Sequence, residues 1–475
     1  MGNLSIASPH RVLIVGCAYG GISAIVNLLD LERGKARQPV YPGAEFGGRK
    51  SRDGIEITVI DERDGYFHSV GAPLAHVAPK HTSLMWKRFN QLNELRHPNL
   101  HFKHGSVKRL DQESKVAEWL DRNGKTQHQA YDYLVMATGL KRHWPAVPKS
   151  GSYEEYLQDG KAFISKVVGG DPEKPQEGRR VVIIGAGAVG IEFAGEIKNY
   201  YPGIKVTLIH SRDQVLSSEP LPSEVKDRVG KMLVEEGVEV ILGNRASVTE
   251  QANEQFKVEL VNGTLLTADF VIDSTKKGEP TTGTLPRECL NEDGEIVVNQ
   301  DLTFKHGANK ESHFGVGDVI AWTGIKRAGS AMVMGQAAAW NIFASILNSE
   351  SPIPSSPTSA SSDASPPSSS EPSPSNSPTS SNLPLPPSDK ISMTELPSWP
   401  AVIGIAVGKQ CLTYDEKSGM KYGVEVMQGY FQDDLGWAAN LKYCQLTDVV
   451  EREEVEVEDK NVGLGDVGVE VSAAA

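Results

Sequence analysis

A chain of 475 residues exceeds the roughly 100–200 expected of one domain, so two or three domains, each with its own core, are predicted. Hydrophobic residues at 39% and charged residues at 23% are ordinary for a soluble protein and exclude fibrous and wholly disordered classes. Lys and Arg number 48 against 61 Asp and Glu, a net charge of −13; such a surface repels phosphate backbones, and nucleic acid is excluded as the main partner.

The amino-terminal residues MGNLSIASPH hold no apolar run, so neither a secretory signal nor an Arg-rich transit peptide is read there. Gly2 invites N-myristoylation, but that motif asks for Ser or Thr at position 6, where this chain has Ile6 with Ser5 one place early. Residues 11–15 (RVLIV) form a β-branched run that meets Gly16, as expected of a strand buried on both faces of a parallel sheet. Ile22, Ile25, Val26 and Leu29 then follow at helical spacing. The turn between them, Gly16-Cys17-Ala18-Tyr19-Gly20-Gly21, has glycine at the outer positions of G-x-G-x-x-G and alanine in the middle. Gly16 permits a tight turn, a small residue at Ala18 lets backbone approach a pyrophosphate, and Gly21 allows close packing of helix on strand. The helix amino terminus offers unpaired N–H groups to the anion. Such a turn alone is a weak signal. It gains force from the next strand, Ile57 to Ile60, which ends in Asp61-Glu62, carboxylates suited to accept ribose hydroxyls. The separation is about twice the usual ~20 residues, an excess assigned to the polar loop at 33–54; a different strand pairing would undo the assignment.

The same pattern returns about 170 residues later. Residues 180–184 (RVVII) lead into Gly185-Ala186-Gly187-Ala188-Val189-Gly190, the full motif, with Glu192 and an apolar helix after it. Its partner strand, Val206 to Ile209, ends in His210-Ser211-Arg212. No acid stands there to repel a 2′-phosphate, and Ser211 and Arg212 can contact one, so NADPH is tolerated and NADH stays open. Two such units imply two nucleotide-binding domains. Further on, Ala328 to Asn348 is uncharged and long enough to span a bilayer, yet it carries Ser330, Gln336, Asn341 and Ser345, and a buried helix is the reading chosen. Residues 351–390 contain 16 Ser and 11 Pro in 40 positions, including Ser-Pro pairs at Ser351, Ser356, Ser365, Ser373 and Ser377. The stretch 350–395 is expected to be a disordered insertion, a target of proline-directed kinases or a plain tether. Residues 396–448 regain apolar and aromatic content and form a small carboxy-terminal unit, and 449–475 is an acidic mobile tail. Cys17, Cys289, Cys411 and Cys444 contain no C-x-x-C pair for a zinc clip or a dithiol; no metal is expected, and a reducing compartment fits.

Together the two turns resemble the two-dinucleotide-binding-domain flavoproteins. Two further blocks support this: Tyr131 to Gly139 (YDYLVMATG) looks like the strand and ATG turn that closes the first domain, and Phe314-Gly315-Val316-Gly317-Asp318 looks like the late G-D motif. The resemblance implies an α/β fold of two Rossmann-type, doubly wound domains, the first discontinuous, plus a small C-terminal α+β unit. FAD is assigned to 1–150 with 293–349, and NAD(P)H to 151–292. It implies FAD contacts at Gly16, Ala18, Tyr19, Gly20, Gly21, Asp61, Glu62, Thr138, Gly139, Gly317 and Asp318, the last on the ribityl chain. NAD(P)H contacts fall at Gly185, Gly187, Gly190, Glu192, His210, Ser211 and Arg212. It also implies that the helix at 328–348 aims its amino terminus at the flavin, with Lys326 and Arg327 either adding positive potential or lying as a solvated pair.

Among subfamilies, the missing dithiol argues against the thioredoxin-reductase and glutathione-reductase branches, and the F-x-G-x-x-x-H-x-x-x-W signature of Baeyer–Villiger monooxygenases is absent. Val59-Ile60-Asp61 with Asp64 and Tyr66-Phe67-His68, then Thr207 to Ser211, are similar to the apoptosis-inducing-factor-like group related to ferroptosis suppressor protein. That resemblance implies hydride transfer from NAD(P)H to flavin and electron delivery to a quinone. The alternative is a slowly turning redox-sensing signalling flavoprotein; reduction of a ferredoxin-type carrier differs only in acceptor. Glu192 orients the nicotinamide or is an ordinary first-turn acid on the helix dipole. His68 and Tyr66 line the acceptor side, lie at the surface or serve as packing, and Trp437 and Tyr443 of the C-terminal unit form an acceptor mouth, a membrane-facing surface or packing. The location expected is cytoplasmic, with peripheral contact to a membrane or lipid droplet and no transmembrane helix.

Overall fold

The computed structural model describes residues 8–37, 42–43, 45–350 and 390–449. The myristoylation position, the Ser-Pro pairs and nearly all of the acidic tail lie outside the described residues.

In chain order the elements that matter here are β1 (His10–Val15), α1 (Tyr19–Glu32), β2 (Ile55–Asp61), β3 (Leu100–Asp111), β4 (Val116–Asp121), β5 (Thr126–Ala130), β6 (Tyr133–Met136), α2 (Tyr153–Val168), β7 (Arg180–Ile184), α3 (Ala188–Tyr200), β8 (Lys205–Ile209), α4 (Ser223–Glu235) and β9 (Glu239–Ile241). They continue with β10 (Ala246–Glu250), β11 (Phe256–Leu260), β12 (Leu265–Ala268), β13 (Phe270–Asp273), β14 (His313–Gly315), α5 (Ala328–Glu350), β15 (Ile403–Val407), β16 (Gln410–Asp415), β17 (Gly419–Gly423), α6 (Val424–Tyr430) and α7 (Trp437–Tyr443). The first sheet has the order β14-β6-β1-β2-β3-β4-β5, with β14, β6, β1, β2 and β3 mutually parallel. The second runs β9-β8-β7-β13, all parallel. The fold is therefore α/β with two Rossmann-type domains. Because β14 pairs with β6, the first domain is closed by chain that arrives after the second is complete.

β1 pairs in parallel with β2, Val15 opposite Ile60, so Asp61 stands one residue beyond the strand's partner and beside the first turn. The 33–54 loop does not disturb this pairing. Its described residues fold onto α5: Phe46 packs edge-on against Phe343, and Glu350 accepts Ser51 Oγ at 2.7 Å and Arg52 N–H at 2.8 Å.

The apolar helix α5 is inside the protein, with 83% of its most apolar stretch buried. A bilayer span would have to present that surface to lipid. Its polar residues point to protein partners as well: Gln336 donates to Asn27 Oδ1 (3.1 Å), and Asn341 to the carbonyls of Asp301 and Thr394. Close approach to α1 is set by glycine, since a Cβ on Gly335 would lie 2.2 Å from the Gly20 carbonyl oxygen.

The C-terminal unit is the antiparallel sheet β15-β16-β17 with α6 and α7, the predicted α+β unit. Packing begins earlier than composition suggested: Ile391 and Thr394, inside the stretch assigned to the insertion, pair with Asn348 and Asn341 of α5. Strand alternation lets β15 face two ways. Ile403, Ile405 and Val407 join the core of the second domain, whereas Ala406 joins that of the first. The unit thus bridges both domains over the cleft between them.

Candidate functional site

Both glycine turns open onto one cavity of about 2780 Å³ that also reaches the C-terminal unit. In the first turn, Gly16 has φ +94° and no room for a side chain, because a Cβ would sit 2.6 Å from the Ala137 carbonyl oxygen. On Gly21 a Cβ would come within 2.0 Å of the Gly16 carbonyl oxygen. These two glycines act from behind the cavity wall by bringing α1 against the strand. Ala18, Tyr19 and Gly20 form the wall itself. The first turn of α1 contains no acid, so its free N–H groups keep their preference for an anion.

Asp61 Oδ2 accepts the Cys17 N–H at 2.6 Å and Oδ1 accepts the Arg63 N–H at 2.8 Å. Burial pushes its carboxyl up, against the pull of Arg63 and of these hydrogen bonds. Each carboxylate oxygen keeps a second lone pair for a ligand hydroxyl, and Asp61 faces the cavity. Glu62 also lines it, with Oε1 accepting the Ser106 hydroxyl at 2.6 Å. Thr138 and Gly139 complete this end, Gly139 with φ +64° and open space where a Cβ would be. Gly317 and Asp318 lie opposite, and Asp318 Oδ2 accepts Arg142 Nη2 at 3.0 Å. Arg142 escaped the sequence reading because it is 176 residues from its partner.

Lys326 and Arg327 both line the cavity. Lys326 is not a free charge: its ammonium is 2.7 Å from Glu295 Oε1 and donates to the carbonyls of Asp318 and Ile320. Cys17 is a buried thiol in the turn, and burial pushes its pKa up, so it is inert filler.

The second turn repeats the construction. Gly185 has φ +105°, and a Cβ on Gly190 would lie 2.0 Å from the Gly185 carbonyl oxygen. Gly187 faces open space, where its lack of side chain leaves backbone accessible to a phosphate. His210, Ser211 and Arg212 line the cavity beside it. Glu192 is not a first-turn acid. Helix α3 starts at Ala188 with no acid in its first turn, and Glu192 lies beyond it, 8% exposed and lining the cavity. Burial raises its carboxyl to about 8, against a hydrogen bond from the Ala406 backbone and with Glu196 adding to the rise. Protonated at neutral pH, it presents a hydroxyl donor where a charge was expected.

Tyr66 and His68 do not line the cavity. They are 1% and 0% exposed. His68 Nε2 is 2.9 Å from the Leu435 carbonyl, which can only accept, so Nε2 carries the proton and Nδ1 accepts the Tyr19 hydroxyl at 3.0 Å. Burial lowers this histidine to about 4, consistent with the neutral form. Trp437 is likewise buried, edge-on to Tyr66 and tilted against His68. These residues form a clasp between the first turn and the C-terminal unit. Tyr430, Phe431, Leu435, Ala439 and Tyr443 supply the apolar wall of the cavity that the sequence had assigned in part to Trp437.

The residues present fit a flavin dinucleotide and a pyridine nucleotide. Two turns whose first and last glycines leave no space for a Cβ, each leading into an acid-free helix start, face one cavity from opposite domains. The profile of the pyridine nucleotide-disulphide oxidoreductases matches residues 10–335. Oxidoreductase OXR1 of Ajellomyces capsulatus is 36% identical over 462 residues, covering 94% of this chain and 90% of its own. Ferroptosis suppressor protein 1 of Xenopus laevis is 25% identical over 352 residues, 72% of this chain and 83% of its own. Among solved structures, a water-forming NADH oxidase from Lactobacillus brevis bound to NADH has the same fold, with TM-score 0.57 and 18% identity over 85% of this chain and 74% of that one. The chain belongs to the pyridine nucleotide-disulphide oxidoreductase family, with FAD as cofactor and NAD(P)H as co-substrate.

Proposed function

We propose that this oxidoreductase passes electrons from NAD(P)H through FAD to a quinone-type acceptor. The observation that carries the proposal is the continuity of the cavity: it joins both glycine turns to an apolar wall of Tyr430, Phe431, Leu435, Ala439 and Tyr443. A flat, weakly polar acceptor suits such a wall, because aromatic faces bind planar rings through burial and stacking. The chemistry supplied by the bound cofactors is hydride transfer from nicotinamide to flavin, then electron transfer to the acceptor. In this reading Asp61 and Glu62 hold the adenosine ribose of the dinucleotide in the first domain, and Asp318, released from Arg142, holds its ribityl chain. Glu192 donates its proton in a hydrogen bond that orients the nicotinamide carboxamide. The family resemblance to the ferroptosis suppressor group points to the same acceptor class.

The reading carries a location: the cytoplasm, at the surface of a membrane or lipid droplet where lipophilic quinones reside. Four free, buried cysteines suit a reducing compartment.

Anaerobic NAD(P)H is expected to bleach the purified yellow protein and a short-chain quinone to restore its colour within the turnover time. Tyr430→Ala and Tyr443→Ala together are expected to cut quinone kcat/KM by about tenfold, the worth of an aromatic contact or two, while flavin reduction proceeds at its normal rate. Reduced flavin that quinone does not reoxidise sinks the acceptor and supports a slowly turning redox sensor instead.

A further inference from the structure

The two nucleotide units differ at the residue that follows the second strand of each, Asp61 in one and His210 in the other, and the difference alters what the second can accept. In the first, Asp61 follows the strand partner of Val15 and accepts the N–H of Cys17, the residue after the first glycine. In the second, His210 follows Ile209, the strand partner of Ile184, and its Nδ1 accepts the N–H of Ala186 at 3.2 Å, again the residue after the first glycine. The other ring nitrogen, Nε2, lies 2.9 Å from Ser217 Oγ. An imidazole therefore makes the turn contact that a carboxylate makes in the first domain. Burial and neighbouring Arg212 hold its pKa below the ordinary histidine value, so it brings no negative charge.

The loop after it is fixed. Gly243 N–H donates to the Arg212 carbonyl at 2.9 Å and Asn244 N–H to the His210 carbonyl at 3.0 Å, which holds the backbone leading into Arg245 against the 210–212 segment. Ser211, Arg212 and Arg245 are exposed and line the cavity. Among the described residues neither Arg212 nor Arg245 has an ion-pair partner, in contrast to Arg180, whose guanidinium is held 2.6 Å from Asp269 Oδ1. Asp213, the adjacent acid, is exposed and makes no ion pair with either. Two guanidinium forks and a hydroxyl on one cavity wall, with no protein anion to satisfy them, are the donor set that a phosphate monoester calls for.

We propose that the second site selects NADPH over NADH, with Ser211, Arg212 and Arg245 holding the 2′-phosphate and His210 replacing the acid that would repel it. The proposal rests on the assignment of the second turn to the pyridine nucleotide. It goes beyond tolerance of NADPH to a preference with named residues.

The test uses the FAD-loaded protein, with anaerobic flavin bleaching and steady-state kcat/KM measured for each nucleotide against one acceptor. The wild type is expected to favour NADPH by about tenfold or more, the worth of a charge-assisted hydrogen bond. Arg212→Ala and Arg245→Ala are each expected to lower kcat/KM for NADPH about tenfold, chiefly through KM, and to lower that for NADH by much less. His210→Asp is expected to narrow the gap, and retained yellow colour shows that each variant is folded. Equal use of the two nucleotides, a preference for NADH, or equal losses in the arginine variants overturns the selection. Bleaching by neither nucleotide overturns the oxidoreductase assignment itself, a separate outcome.

Discussion

Gly190→Val is expected to give a yellow protein that neither NADH nor NADPH bleaches, and Gly21→Val a folded protein that purifies without flavin. At both positions a Cβ would lie 2.0 Å from the carbonyl oxygen of the turn's first glycine, far inside van der Waals contact. Backbone cannot swing aside as a side chain would, so the helix must retreat by more than an ångström. That retreat withdraws the first-turn N–H groups from the pyrophosphate and widens the cradle. A misplacement of this size costs on the order of 100-fold where geometry carries binding. The two substitutions are chemically the same and differ only in domain, so they separate the two sites. Retained flavin is the folding control for Gly190→Val, and a cooperative thermal transition is the control for Gly21→Val. Normal bleaching of Gly190→Val at wild-type NADPH concentration would show that the second turn does not hold the nucleotide.

The turns were legible in sequence because each is local. A β-branched run, a glycine at positive φ and a helical apolar stripe fall within about twenty residues, and each element agrees with its neighbours. Asp61 was legible across the long 33–54 loop because parallel pairing leaves little freedom: once Ile57 to Ile60 lie beside β1, the residue after Ile60 must meet the turn. Buriedness of α5 was legible from its polar residues, which need partners that lipid does not offer.

What depended on distant chain was not legible. Tyr66 to His68 look like a polar-ended segment following β2, yet Gly65, Tyr66 and Phe67 are all buried, and strand alternation has no purchase on a segment covered on both sides. The groups that satisfy His68, the Tyr19 hydroxyl and the Leu435 carbonyl, come from 49 and 367 residues away. Glu192 was read as a possible first-turn acid because spacing places it near a helix start. Its burial comes from β15, whose Ala406 backbone hydrogen-bonds to it and whose end lies so close to α3 that a Cβ on Gly195 would be 2.9 Å from the Val407 carbonyl carbon. The absence of an acid at 210 was visible in sequence; that His210 takes over the contact was not, since only geometry shows Nδ1 reaching Ala186 N–H.

Raising the pH from about 6.5 to about 8 is expected to lower the melting temperature of the FAD-loaded protein, and the Glu192→Gln, Glu196→Gln double variant to flatten that decline. Both carboxyls are raised to about 8, Glu192 by burial and Glu196 by burial with Glu236 adding to it, against a hydrogen bond from Asn199. A folded-state pKa above the unfolded value means that the folded chain holds the extra proton between the two. Stability is then full below the unfolded pKa and falls as pH rises toward 8. The buried histidines act in the opposite sense. His68, His76 and His313 are lowered to about 4 by burial, so their contribution is present above about 6.5 and is lost as pH falls. The two effects overlap on the acid side and separate above about 6.5, where the histidines are neutral folded and unfolded alike. The descending limb from there to about 8 belongs chiefly to the two glutamates, at most about 1.4 kcal/mol per pH unit for each. Glutamine keeps the size and the hydrogen-bonding capacity but cannot ionise, so the double variant removes the limb without opening a cavity. A wild-type melting temperature that stays level from about 6.5 to about 8, or a decline that survives in the double variant, would place the ionised forms of these acids in the folded protein and remove the neutral donor at Glu192 from the nicotinamide site.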